Sequence, residues 1–112
     1  MLNVSTREMP DHVAVDLVGR LDGSPSCRDL CRQVKGRLDE GHRQFIVELE
    51  RVDWMSSCGI GCLIATYTSI RREGGTMALR GPNDRVLAAL EVTDLVPAVF
   101  EVILPGAEAV GH

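Results

Sequence analysis

The sequence predicts an α/β fold with a single small mixed β-sheet of four to five strands, flanked by amphipathic helices. Three observations lead to this prediction. Segments typical of strands and of helices alternate along the chain. Residues 12–19 follow a period of two, with Val13, Val15 and Leu17 facing one way, as in a strand with one buried face. A helix pattern at 58–73 lies between strand patterns at 45–49 and 76–80, so a right-handed crossover should make these two strands parallel.

The first half of the chain is predicted to contain two strands and one helix. Residues 2–8 alternate weakly, as an edge strand does, and Met9-Pro10-Asp11 has turn chemistry. Farther along the chain, Ser24 is a good helix N-cap and Pro25 suits the first helical position. The helix should end at Gly41, and its apolar stripe consists of Cys27, Leu30, Cys31, Val34 and Leu38.

The second half continues with strands and helices in alternation. A strand at 45–50 is followed by a loop that includes residues 52–57, and a helix from about Cys58 is closed by Gly74-Gly75. A strand follows at 76–80. The remaining predicted elements are a turn and cap at 81–84, a third helix with Val86, Leu87, Ala89 and Leu90 on its buried side, and a short strand at Ala98–Val102.

Length and composition indicate one globular domain, which we expect to span residues 1–112 with its core at about 2–104. The net charge of −4, with scattered basic residues, argues against a nucleic-acid binder. No apolar run approaches the roughly 20 residues that span a bilayer, and the N-terminus lacks the pattern of a secretory signal. We therefore expect a cytoplasmic protein without direct membrane insertion.

Four cysteines form two pairs with i, i+4 spacing, Cys27 with Cys31 and Cys58 with Cys62. A metal site would require the two pairs to converge in space, which the spacing alone does not establish. We therefore interpret Cys27, Cys31 and Cys62 as small buried side chains, and expect no metal and no cofactor. A structural disulfide is not expected in a cytosolic chain without an export signal.

No enzyme is predicted, because no convergent set of catalytic groups is evident. The three histidines show no triad-like spacing to a serine or cysteine, and Gly59-Ile60-Gly61 alone is a weak nucleotide-binding signal. Cys58, in the first turn of a predicted helix, is the sharpest candidate for a nucleophile or redox sensor. Because no base or resolving partner is apparent, we interpret it as a packed, serine-sized residue.

The junction at Ser56-Ser57 is the strongest candidate site. The first N–H groups of a helix and the positive end of its dipole favour an anion, including a phosphate. Either serine can be a simple helix cap. Alternatively, Ser57 is a phosphoacceptor: a phosphoryl group there adds a charge of about −1.5 to −2, which would repel a docked acidic partner.

At this point the chain resembles a known family. The resemblance rests on Gly19-Arg20-Leu21-Asp22 at a strand end, on Ser56-Ser57-Cys58-Gly59-Ile60-Gly61 at the start of a helix, and on Gly74-Gly75 at its close. Their order and spacing resemble the STAS family, and in particular the bacterial anti-anti-sigma factors, also called anti-sigma factor antagonists. The resemblance extends from about Val13 to Val102 and implies a STAS-like sheet flanked by helices.

The resemblance also implies a partner-switching role. Such a protein binds an anti-sigma factor that is also a serine kinase, and the sigma factor is released. Phosphorylation turns binding off, and a metal-dependent serine phosphatase restores it. The acceptor corresponds to Ser57, with Ser56 as the fallback, and the nearby acidic residue corresponds to Asp22. The chain departs from the family pattern in two places, because Ser56 replaces the hallmark Asp and Cys58 follows the acceptor.

The expected partner surface surrounds Ser57. Trp54 is either an interface anchor or a side chain packed over the sheet edge. The other residues expected at or near this surface are Arg20, Asp22, Met55, Cys58, Gly59, Ile60 and Gly61.

Two alternative functions remain open at this stage. One is a STAS subunit of a membrane or lipid-transport complex that is bound constitutively to a transporter ATPase and never phosphorylated. Loss of the hallmark Asp fits this alternative better. The other is a Cys58-based redox or metal protein.

Overall fold

The computed structural model describes residues 2–22, 26–86, 88 and 101–103, and it contains one five-stranded sheet in the order β1-β2-β3-β4-β5. Strand β1 runs antiparallel to β2, and the pairs β2/β3, β3/β4 and β4/β5 are parallel. This confirms the predicted mixed sheet and the parallel crossover. The strands are β1 (Leu2–Glu8), β2 (Val13–Leu21), β3 (Gln44–Met55), β4 (Thr76–Arg80) and β5 (Glu101–Ile103), and the helices are α1 (Ser26–Asp39) and α2 (Ser57–Arg72).

The hydrophobic core lies between one face of the sheet and the two helices. Alternate residues of β2 and β3 are buried, as their period-two patterns predict. Helix α2 packs against both β4 and α1, so the helices form one continuous layer. The most deeply buried side chains in this layer and sheet face are Val13, Val15, Leu17, Leu30, Phe45, Val47, Leu49, Leu63, Ile70 and Leu79.

Strand β3 is longer than predicted, and this corrects the loop assigned to residues 52–55. The strand continues to Met55, and its register against β2 shifts twice. Between Asp16 and Val18, β2 advances two residues while β3 advances from Glu48 to Arg51. Such bulges break the alternation of buried and exposed side chains. The sequence pattern therefore stops resembling a strand although the backbone continues as one.

Other element boundaries also differ from the prediction. Strand β2 extends two residues beyond Gly19. Asn83 accepts a hydrogen bond from the backbone N–H of Val86 at 2.8 Å, which supports the cap predicted at 81–84. Strand β5 at Glu101–Ile103 overlaps the end of the strand predicted at Ala98–Val102, and residues 98–100 lie outside the described residues. The Ser24-Pro25 start signal, most of the third helix and the tail after Pro105 lie outside the described residues. Neither helix described here has the length and hydropathy of a bilayer-spanning segment.

The cysteines correct a second expectation. Cys27 of α1 and Cys62 of α2 form a disulfide, with their Cα atoms 5.6 Å apart. Cys62 is buried, as predicted, but it is covalently paired rather than packed as a free thiol. The pairing depends on how the two helices are aligned, and the i, i+4 spacing within each helix does not reveal that alignment. Cys31 and Cys58 are free thiols.

Helix α2 approaches the end of β2 very closely at Gly59. A Cβ atom at this position would overlap the carbonyl group of Leu21. The same carbonyl oxygen accepts a hydrogen bond from the backbone N–H of Ser56 at 3.0 Å. Gly61 lies two residues farther along α2 and has open space around it. Only the first of these two glycines is therefore required by the packing.

The opposite face of the sheet carries charged pairs rather than a second helix layer in the part of the chain described. Arg7 binds Asp16 through two hydrogen bonds of 2.6 and 3.1 Å. Glu48 pairs with Arg80 at 3.3 Å, and both side chains are largely buried. Burial raises the pKa of the Glu48 carboxyl, an effect that the nearby Arg80 opposes.

We predict opposite effects for alanine at the two glycines of α2. Gly59→Ala should lower the free energy of unfolding by roughly 1–3 kcal/mol, because the new methyl group displaces the Leu21 carbonyl. Gly61→Ala should raise it by up to about 1 kcal/mol, because alanine favours a helix and meets no neighbour. Denaturant unfolding measures both, and equal effects would contradict the close approach.

We also predict a pH dependence from Glu48. Because its pKa in the folded protein exceeds the usual 4.5, the folded state binds its proton more tightly than the unfolded chain. Its contribution to stability is therefore present at low pH and is lost as the pH rises through the folded-state pKa. Unfolding curves should show the stability of wild type, relative to Glu48→Gln, falling as the pH rises above the usual carboxyl pKa of 4.5.

Asp29 provides a control, because its contribution to stability should depend on pH in the opposite direction. Its pKa is lowered by hydrogen bonds from Arg32 and Gln33, so its contribution is present above the unfolded value and is lost as the pH falls. The stability of wild type relative to Asp29→Asn should therefore rise with pH. Identical pH profiles for the two variants would refute the assignment.

Candidate functional site

The candidate site lies where β3 leads into α2, and Ser56 is the N-cap of that helix. Its backbone is extended (φ −89°, ψ 172°), and its hydroxyl accepts a hydrogen bond from the backbone N–H of Gly59 at 3.0 Å. Its carbonyl oxygen accepts the first bond of the helix, from the N–H of Ile60 at 2.9 Å. The Ser56 side chain is therefore committed to holding the helix start.

Ser57 occupies a different environment from its neighbour. It is the first residue of α2, it is exposed, and its hydroxyl makes no hydrogen bond to any residue that the structure describes. The first turn of α2 contains no acidic residue. The positive end of the helix is therefore not neutralised locally, and an anion attached to Ser57 would be favoured there.

The end of β2 brings further predicted residues to the same edge of the sheet. Arg20 pairs in register with Trp54, and its guanidinium lies over the indole ring, 4.8 Å from the centroid. Trp54 is half-buried, so it packs against Arg20 and still presents part of its ring to solvent. Asp22 is exposed and directly follows Leu21, whose carbonyl binds Ser56.

Three of the predicted site residues are buried. Met55 is 5% exposed and Ile60 is 7% exposed, and both belong to the hydrophobic core. This corrects the expectation that their side chains face a partner. Gly59 is buried against Leu21, so its role is to let the helix approach. Gly61 and Cys58 are exposed, which corrects the interpretation of Cys58 as a packed residue.

A group of residues that sequence reasoning did not bring together lies beside this site. Cys27, Cys31, Cys58 and Cys62 all line one open groove of about 530 Å³ between α1 and α2. The i, i+4 spacing within each pair was the sequence signal for such a group, because it places both cysteines of a pair on one helix face. The spacing did not show that the two pairs lie on facing sides of neighbouring helices.

A described histidine and the described cluster of potential metal ligands lie away from Ser57. His12 contacts Asp11 at the opposite end of β2 from Ser57. Glu8, Glu40 and His42 are the one described set of three potential metal ligands whose atoms lie within 4.8 Å of one another. Arg37 also pairs with Glu40 at 3.1 Å, and His42 binds Glu8 at 2.5 Å. These carboxylates thus already have partners among neighbouring side chains, and His42 is half-buried.

Comparison with known proteins agrees with this architecture. The STAS domain profile matches residues 3–106. The anti-sigma-B factor antagonist of Bacillus subtilis is 22% identical over 94 residues, which cover 84% of each chain.

Solved structures with the same fold include SpoIIAA of Bacillus, an anti-sigma factor antagonist. Its unphosphorylated form has a TM-score of 0.79 at 17% identity, covering 96% of this chain and 92% of SpoIIAA. The phosphorylated form has a TM-score of 0.71. The murine anion transporter Slc26a9 contains a similar fold, with a TM-score of 0.73 at 12% identity, covering 93% of this chain but only 18% of the transporter.

The profile match spans nearly the whole chain, and the fold agrees with it. This chain belongs to the STAS domain family, and its relatives include anti-sigma factor antagonists.

Proposed function

We propose that this protein is an anti-anti-sigma factor that is switched by phosphorylation of Ser57. In this proposal, the unphosphorylated protein binds an anti-sigma factor with serine-kinase activity, and the sigma factor is released. Phosphorylation ends the binding, and a serine phosphatase restores it. The protein acts in the cytoplasm as a regulatory module without catalytic activity, a cofactor, nucleic-acid binding or membrane insertion.

The observation that carries this proposal is the division of roles between the two serines. Ser56 uses its hydroxyl to cap α2, whereas Ser57 exposes its hydroxyl at the positive end of the same helix. A kinase can reach Ser57 without breaking the cap. Phosphorylation of Ser56 would instead require its half-buried hydroxyl to leave the hydrogen bond with the N–H of Gly59. Ser57 is therefore the favoured acceptor, with Ser56 as the fallback.

The replacement of the family's Asp by Ser56 is compatible with this role. Serine and aspartate are both strong N-cap residues, so the helix start is held either way. The replacement removes one negative charge beside the acceptor. A phosphoryl group on Ser57 consequently meets less local repulsion and depends on the helix end and on solvent for its stabilisation.

The off-switch follows from charge at the proposed partner surface. Arg20 is the exposed cation at this edge of the sheet, and it lies over Trp54. An acidic partner side chain that contacts Arg20 would then also face the phosphate on Ser57. Because like charges brought together at an interface cost several kcal/mol, phosphorylation would release that partner.

One alternative remains supported by specific observations. The fold also forms part of an anion transporter, and Ser56 stands in place of the hallmark Asp. In this alternative the protein is a STAS subunit of a membrane or lipid-transport complex and is not phosphorylated. The two functions differ in whether Ser57 accepts phosphate.

We predict that Ser57 is phosphorylated by an anti-sigma kinase from the same organism. Mass spectrometry after incubation with ATP should locate phosphate on Ser57, and Ser57→Ala should remove it. Ser57→Ala should bind the kinase constitutively, whereas Ser57→Asp should weaken binding by about tenfold or more. Phosphate on neither serine with any candidate kinase would favour the transport alternative.

Ser56→Ala is the matched control for this experiment. It should retain phosphorylation at Ser57 but lose about 1 kcal/mol of stability, because the cap on Gly59 is removed. If this variant loses phosphorylation while Ser57→Ala retains it, the acceptor is Ser56.

We also predict that Arg20 and Trp54 contribute to partner binding. Arg20→Ala and Trp54→Ala should each weaken binding to the anti-sigma factor by about tenfold, as is typical of an interface anchor. Met9→Ala is the control, because Met9 is similarly exposed but lies beyond the other end of β2. Titration calorimetry measures all three affinities, and unchanged binding by both site variants would exclude this edge as the interface.

A further inference from the structure

All four cysteines of the chain lie along the contact between α1 and α2. Cys27 is bonded to Cys62, and the Cys31 sulfur lies 3.6 Å from the Thr66 hydroxyl. Cys31 and Thr66 each lie four residues beyond a bonded cysteine, so the two helices advance side by side. Cys58 lies one turn before Cys62 on α2. The disulfide therefore occupies the middle of this row, with a free thiol one turn away on either side.

The two halves of the disulfide differ in accessibility. Both cysteines line the open groove of about 530 Å³, but Cys62 is only 2% exposed whereas Cys27 is half-buried. Arg28 also lines this groove. A cation in this position favours the approach of an anionic thiolate. A small thiol can consequently reach the bond at Cys27, with the Cys62 sulfur as the buried leaving group.

The bond also connects the helix that carries Ser57 to its neighbour. It joins the second residue of α1 to the sixth residue of α2, and Ser57 is the first residue of α2. A cross-link of this kind restrains the relative position of two helix starts. Breaking the disulfide removes this covalent restraint. The hydrogen bonds from Ser56 to Leu21 of β2 and from Gly59 to Ser56 remain.

We propose that the Cys27–Cys62 disulfide is a reversible redox switch that adjusts the start of α2 and thereby the affinity for the partner. The proposal rests on the proposed function for its partner surface and its cytoplasmic setting. Disulfides of cytosolic proteins are usually transient and often redox-sensing rather than structural. A low-molecular-weight thiol is the reductant, and the corresponding small disulfide is the oxidant.

The chemistry proceeds by two thiol–disulfide exchanges. The thiolate of the small thiol attacks the Cys27 sulfur, the Cys27–Cys62 bond breaks, and Cys62 leaves as a thiolate that is protonated by solvent. A second small thiolate then attacks the sulfur of the small thiol in the mixed disulfide. This releases the Cys27 thiolate, which is protonated in turn, and a small-molecule disulfide. Two electrons pass from two external thiols to the protein, and the reverse exchange reoxidises it.

Equilibration of the folded, full-length protein with mixtures of reduced and oxidised glutathione tests the exchange. Alkylation followed by mass spectrometry should label Cys31 and Cys58 throughout, and Cys27 and Cys62 only as the mixture becomes reducing. Circular dichroism should show that the helices persist. A bond that resists reduced glutathione until denaturant is added would be structural, and the proposal would be overturned.

Hydrogen exchange tests whether the bond acts on the site without requiring any partner. On reduction, the amides of residues 57–61 should exchange at least about fivefold faster. The double variant Cys27→Ser/Cys62→Ser should show the fast exchange in oxidising and reducing buffer alike. Cys31→Ser/Cys58→Ser, the matched control, should keep the redox response. Unchanged exchange at residues 57–61 on reduction would overturn the coupling.

Affinity measurements separate this inference from the proposed function. Oxidised and reduced protein should differ about fivefold or more in Kd for the anti-sigma factor, and the Cys27→Ser/Cys62→Ser variant should not respond to redox conditions. If the oxidised and reduced proteins bind with equal affinity while Ser57→Asp still binds weakly, the redox switch is overturned and the proposed function is left intact. Absence of binding in every form would instead remove the proposed function, and the glutathione and hydrogen-exchange measurements would still decide the redox behaviour.

Discussion

The contact between α2 and the carbonyl end of β2 is the constraint on which the rest of the site depends. The carbonyl of Leu21 accepts a hydrogen bond from Ser56 and leaves room for no side chain at Gly59. This fixes both the position and the rotation of the first turn of α2. The rotation directs the Ser56 hydroxyl back onto the helix and leaves Ser57 facing solvent. The distinct chemistry of two adjacent serines thus follows from a backbone contact rather than from the serines themselves.

Much of the fold could be predicted from the sequence because most of its elements keep a regular period. Alternation in β2 and the apolar stripe of α1 each reflect one buried face, so pattern and burial agree. The second half of β3 could not be predicted in this way. Its two bulges place consecutive residues such as Glu50 and Arg51 in solvent, which removes the alternation that identifies a strand.

The candidate site was only partly predictable, for a different reason. Both serines are good caps, so their roles could be assigned only from backbone geometry. The burial of Met55 and Ile60 depends on where β3 ends and how α2 is rotated. Neither the strand end nor the helix rotation can be inferred from a local sequence pattern. The disulfide depends on the alignment of two helices separated by β3 in the chain. Local periodicity establishes which residues share a face but not which faces meet.

The capping role of Ser56 has a consequence for how such proteins diverge. Serine, aspartate and asparagine hold a helix start with similar strength, so position 56 can pass between a charged and an uncharged residue while the fold is conserved. Mutational drift at this position is therefore nearly neutral for folding and yet changes the electrostatic environment of the adjacent hydroxyl. A charge can thus be gained or lost beside Ser57 with no compensating change at the start of the helix.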